Sequence, residues 1–103
     1  MHEALRPHLA AITELCRRYR VAKLHVFGSV IGDQFDHRRS DIDFLVEFIP
    51  GVTGGLDHPY FGLQRDLQAL LGRKVDLVMV GAVTNSYFAQ SVNATKVSVY
   101  AAA

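Results

Sequence analysis

Residues 40 to 48 read SDIDFLVEF, which sets Asp41 and Asp43 two residues apart at the head of an apolar run. Side chains at i and i+2 of an extended strand share a face, so both carboxylates point the same way. Leu45 and Glu47 join them there, while Ile42, Phe44, Val46 and Phe48 take the opposite, core-facing side. Carboxylates held so close repel each other unless they are protonated, solvated or bridged by a cation. Oxygen-only donors at this spacing suit Mg²⁺, which takes one or two carboxylates and completes its shell with water and phosphate oxygens. The plainer alternative is a solvated Asp pair at the start of an exposed edge strand.

A third acid changes the balance. Asp76 sits inside the apolar run KVDLVMV, where an unpartnered charge is costly to bury. If its strand neighbours the one carrying Asp43, the three carboxylates meet at one end of a sheet. A salt bridge from Asp76 to Arg73 or Lys74 is the competing explanation. Gly28-Ser29 supplies a complementary half, because it ends the strand VAKLHVF at 21 to 27. Glycine lets a phosphate approach the backbone, and N–H groups at the start of a helical turn are preset for anions. Metal ions held between such carboxylates and a polyphosphate would align an attacking oxygen and neutralise a pyrophosphate leaving group.

The elements that position these residues follow from periodicity. Leu5, Leu9, Ile12, Cys16 and Tyr19 mark one stripe of a helix over about residues 3 to 20. Arg17, Arg18 and Arg20 close it, either as a solvated, dipole-complementing end or as a phosphate-binding patch. The run from Asp41 to Phe48 is the longest strand signal. IPGVTGGLDHP (49 to 59) reads as a loop long enough to act as a flap. The helix YFGLQRDLQALLG follows, with Phe61, Leu63, Leu67, Leu70 and Leu71 as its apolar residues and Gly72 as its stop. RKVDLVMV, apolar on both faces, predicts a covered, central strand. A short helix over VTNSYFAQSV and an extended tail KVSVY complete the chain. The order predicts an α/β (α+β) domain, a small mixed sheet with flanking helices, and residues 1–103 as one unit.

Composition narrows the rest. A chain of 103 residues supports about one core and leaves little for a separate substrate domain. With 11 Lys and Arg against 10 Asp and Glu, no extended basic footprint for nucleic acid is evident. Cys16 stands alone, which excludes an internal disulfide and a cysteine zinc site and suits a cytoplasmic setting. No apolar run approaches the roughly 20 residues of a membrane span. None of His2, His8, His25, His37 and His58 forms a metal-ligating i, i+4 pair. Serine hydrolase elbows and Walker or dinucleotide-binding glycine patterns are absent. The pairs Tyr60-Phe61 and Tyr87-Phe88 are candidates for an oligomer or partner surface, although packing is the expected fate of at least one residue of each.

FGS at 27 to 29, SDIDFLVEF at 40 to 48 and KVDLV at 74 to 78 together resemble the Gly-Ser, Asp-x-Asp and third-Asp signature of the minimal nucleotidyltransferases, within the DNA polymerase β-like superfamily. The likeness runs through the tail NSYFAQSVNATKVSVY. It implies a nucleotidyltransferase fold, ATP bound with two Mg²⁺ ions, and attack on the α-phosphate with release of pyrophosphate. Gly28 and Ser29 would hold the β- and γ-phosphates and Asp41 and Asp43 both metals. Asp76 would bind one metal and help activate the acceptor hydroxyl. It further implies a HEPN-domain partner toxin, which the protein silences as an antitoxin by adenylylating a tyrosine.

Two departures accompany the resemblance. Val30 to Ser40 is one residue longer than is common in the family, and VIGDQ replaces an Arg-Gly stretch after Gly-Ser, with Arg38 or Arg39 as substitute cations. Two alternatives stand beside the enzyme reading: a noncatalytic subunit that masks a HEPN partner, and nucleotidyl transfer to a small molecule.

Overall fold

The computed structural model describes residues 5–28, 41–52 and 58–102. Ser29, the expected turn after it, Arg38, Arg39 and residues 53–57 of the expected flap lie outside them.

One turn of 3-10 helix, Arg6–His8, leads into α1, Leu9–Arg18. The expected stripe holds: Leu5, Ile12 and Cys16 are fully buried. Burial pushes the Cys16 thiol up to about 12, so it packs as a small apolar group. Arg20 leaves the helix with φ 59°, a left-handed turn into β1, Val21–Phe27. β2, Ile42–Phe48, lies antiparallel to β1, with Phe27 opposite Asp43 and Val26 opposite Phe44. Its alternation is as read from the sequence, since Ile42, Phe44 and Val46 are all 0% exposed.

α2, Pro59–Leu71, opens on His58, whose side chain accepts from the Tyr60 N–H, and closes on Gly72 at φ 67°. The N-cap satisfies an otherwise orphaned donor, and a residue without Cβ adopts the left-handed C-terminal position freely. Leu63 and Leu67 face the core, whereas Phe61, expected with them, is 53% exposed. α1 and α2 approach closely at Gly62, where an added Cβ would stand 2.6 Å from the Tyr19 ring. Beside that contact the Tyr19 hydroxyl donates to Asp66, which holds the Asp66 carboxyl below its ordinary range.

β3, Val75–Met79, runs parallel to β2, and α3, Ser86–Thr95, leads to β4, Val97–Ala101, which pairs antiparallel with β1. The sheet order is β3-β2-β1-β4. Two expectations are corrected. The final segment is a strand of the sheet and not a mere tail, and β3 is an edge strand, not a central one.

β3 reads as central because its edge is dressed. Along one row of α2, spaced by four residues, Tyr60 Oη donates to the Leu77 carbonyl at 2.6 Å and Gln64 Nε2 to the Val75 carbonyl at 3.1 Å. Gln68 Oε1 accepts from the Val75 N–H at 3.1 Å. These side chains satisfy backbone groups that a further strand would otherwise take. The main core lies between the sheet and α1 and α2; a smaller cluster, Phe27, Leu45 and Val92, lies under α3 on the other face. No helix among the described residues is long and apolar enough to cross a membrane.

Candidate functional site

The parallel register sets Asp43 directly beside Asp76. Neighbouring strands run about 4.8 Å apart and paired residues project to the same face, so the two carboxylates meet. They share a hydrogen bond. Burial first, then that bond, then the negative charges of Asp76 and Asp41 push the Asp43 carboxyl up to about 6. Asp43 thus keeps its proton to a higher pH than an ordinary carboxyl does, beside a second acid that the register holds next to it.

Asp41 stands just before β2, two residues from Asp43. Its Oδ2 lies 3.9 Å from Lys74 Nζ, so Lys74 turns to Asp41. The structure brings Asp43 and Asp76 into contact and leaves Asp41 within electrostatic reach of them. Among the described residues, no three His, Cys, Asp or Glu side chains form a ready-made metal cage. The donor set fits an ion that takes one or two carboxylates and draws its remaining oxygens from substrate and water, as Mg²⁺ does. A divalent cation between the two carboxylates would relieve the repulsion that raises the Asp43 carboxyl.

Gly28 follows Phe27 and turns away at φ 77°. A Cβ on it would lie 2.7 Å from Asp43 Oδ2, so the carboxylate occupies the space a side chain would need. The Gly28 N–H donates to Thr95 Oγ1 at 3.3 Å, and that hydroxyl donates to the Ser91 carbonyl at 2.9 Å. Gly28, expected to receive phosphate, is therefore tied to the end of α3 by one long bond.

A cavity of about 310 Å³ opens over the acid pair, lined by Phe27, Asp43, Tyr60, Gln64, Asp76 and Phe88, with Leu77 and Val78. Tyr60, Gln64 and Phe88 were not among the site residues read from the sequence. The polar row at 60, 64 and 68 carries a helical signal, but only the location of β3 gives it meaning. A larger cavity of about 520 Å³ lies farther along the same sheet face, beside Lys23, His25, Glu47 and Lys96. Burial, then Lys96 and Lys23, hold the His25 imidazole below its ordinary range. That cavity contains no acid pair, and the smaller one is the chemical candidate.

A mixed four-stranded sheet with helices against it and an acidic pair on neighbouring strands beside a glycine turn is the frame of a nucleotidyltransferase. The chain belongs to the nucleotidyltransferase domain family, whose model matches residues 10–100, and it falls among the minimal nucleotidyltransferases. It is 37% identical over 92 residues to a Methanocaldococcus jannaschii protein provisionally named a protein adenylyltransferase, covering 87% of this chain and 85% of that protein. A solved minimal nucleotidyltransferase superimposes with a TM-score of 0.74 at 31% identity, over 94% of this chain and 95% of the other. The fold also matches, with a TM-score of 0.64 at 20% identity over 94% of this chain and 72% of the other, a structure described as a tri-AMPylated Shewanella oneidensis HEPN toxin in complex with its MNT antitoxin.

Proposed function

We propose that this nucleotidyltransferase transfers AMP from ATP, bound with Mg²⁺, to a hydroxyl, and that the acceptor is a tyrosine of a HEPN-domain partner which it thereby neutralises as an antitoxin. The observation that carries this reading is the register that sets Asp43 directly beside Asp76, two acids of different strands close enough for one to raise the carboxyl of the other. Protein adenylyltransferase relatives and the AMPylated HEPN toxin beside a protein of the same fold support the choice of group and acceptor.

Asp43 and Asp41 would hold the metal and orient the triphosphate, and Gly28 with Ser29 would receive the β- and γ-phosphates. Asp76 would hold metal and draw the proton from the acceptor oxygen. The bond formed joins that oxygen to the α-phosphorus; the bond broken is the one to the pyrophosphate oxygen. Magnesium, when bound, neutralises charge on the phosphates and on the leaving pyrophosphate. The residues themselves align the acceptor in line and manage its proton.

The test is incubation with α-labelled ATP, Mg²⁺ and the HEPN protein encoded beside it. Label on a tyrosine, lost in Asp43→Asn, is the expected result. Absence of label with the native protein would refute the reading. Neutralisation that survives Asp41→Asn and Asp43→Asn together would indicate that the protein works by masking its partner.

A further inference from the structure

The acid pair fixes where an α-phosphate would react, and the walls around it limit where the rest of a nucleotide can lie. On one side the Tyr60 hydroxyl and the Gln64 amide nitrogen are engaged by the carbonyls of Leu77 and Val75. Toward Gly28 the space belongs to the Asp43 carboxylate, and at the head of β2 Lys74 turns to Asp41. Phe27, although it lines the cavity, is 5% exposed and offers almost no surface. Among the described residues, the remaining apolar wall is Phe88 with Val78.

Phe88 is 38% exposed. Its ring stands nearly perpendicular to that of Phe27, at 79° with centroids 5.8 Å apart, an arrangement that leaves at least one of its faces unused by Phe27. Asn85 Oδ1 accepts from the backbone N–H groups of both Tyr87 and Phe88, at 2.9 and 3.1 Å, so the start of α3 is fixed. The ring thus packs against Phe27 and rises from a capped helix start, which lowers the ordering cost of stacking on it. Tyr87, 83% exposed, does not line this cavity.

Resting on the function proposed above, we infer that Phe88 is the stacking wall for the nucleobase of the bound triphosphate, a binding determinant separate from the carboxylates that hold its phosphates. A cavity of about 310 Å³ is at the small end of ligand sites, which run from roughly 300 Å³ upward, and suits one ring system at this wall. Base stacking on an aromatic ring tolerates any π-face and is lost on truncation.

The two contributions separate in an equilibrium titration with two probes, MgATP and magnesium inorganic triphosphate, which has no base. Phe88→Ala should weaken MgATP binding about tenfold and leave triphosphate binding unchanged. Phe88→Trp should restore MgATP affinity and show tryptophan quenching as ATP is added. Asp43→Asn should weaken both probes together. Equal loss of both probes in Phe88→Ala, or loss of neither, overturns the inference. A raised KM for the acceptor protein with unchanged MgATP affinity overturns it too, by assigning the wall to the acceptor. Failure of the native protein to bind either probe would instead remove the function on which it rests.

Discussion

Asp43 Oδ2 lies 2.7 Å from the point at which a Cβ of residue 28 would stand. Gly28 is therefore fixed by two demands: a left-handed φ of 77° and the approach of the carboxylate across the β1–β2 ladder. Gly28→Ala meets neither. We expect about 1 kcal/mol or somewhat more of lost stability from the backbone conformation alone. Transferase activity should fall at least about tenfold, because a displacement near 1 Å at a reacting group has effects of this order or greater. Urea unfolding and initial rates read the two losses separately.

Asp43 also sets a pH dependence. Its carboxyl is raised to about 6, so between the ordinary carboxylate range and that value the folded chain binds more protons than the unfolded one. Stability contributed by this group then falls as pH rises through the window. In metal-free protein, Asp43→Asn should melt higher than native at pH 7.5 and lose most of that advantage near pH 4. Added Mg²⁺ should raise the native melting temperature at pH 7.5 and leave the variant nearly unmoved. Thermal melts at both pH values check this.

The edge of β3 yields a third expectation. Gln68→Leu removes the acceptor of the part-buried Val75 N–H, and leaving such a donor unsatisfied costs about 1–3 kcal/mol. Gln64→Leu, which frees only a carbonyl, should cost less. Both changes should lower activity through the position of Asp76, Gln68→Leu without touching the cavity and Gln64→Leu also by altering its lining. Denaturant titration beside rate measurements would show the two effects together.

His58 caps α2 through Nδ1, 3.0 Å from the Tyr60 nitrogen, and its ring packs perpendicular to Phe48. His58→Ala should destabilise by about 1 kcal/mol or more. His58→Asp restores an acceptor and adds a charge favourable to the helix start, so it should recover part of the loss in urea unfolding.

Much of this arrangement was legible in the chain. The period of two through Ile42, Phe44 and Val46 gave the buried face of β2, and the period of about 3.6 through Leu5, Ile12 and Cys16 gave that of α1. The adjacency of Asp43 and Asp76 was a conditional expectation, since nothing local says which strands pair. The edge position of β3 is not legible because its apolar residues look the same in the middle of a sheet as at an edge covered by a helix. β4 is not legible as a sheet strand because Val97, Ser98 and Val99 are too short a run to distinguish a strand from an extended end. Phe61 fits an apolar helical stripe yet sits at its margin, and periodicity fixes a face more sharply than its limits. Of the candidate site, Gly28 was found for a phosphate, while its steric debt to Asp43 belongs to a contact between strands. In the sequence Phe88 stands only as half of an aromatic pair, and its place beside the acids depends on the path of α3.

The row Tyr60, Gln64 and Gln68 makes the sheet's two margins unequal. Among the described residues, three backbone groups of β3 are already taken by side chains of α2, so backbone from another molecule is recruited by strand addition more readily along β4. That open margin is separated from β2 by the whole of β1. Self-association of this kind would thus begin on the flank remote from Asp43, and aggregates grown there would keep their acidic clefts facing solvent.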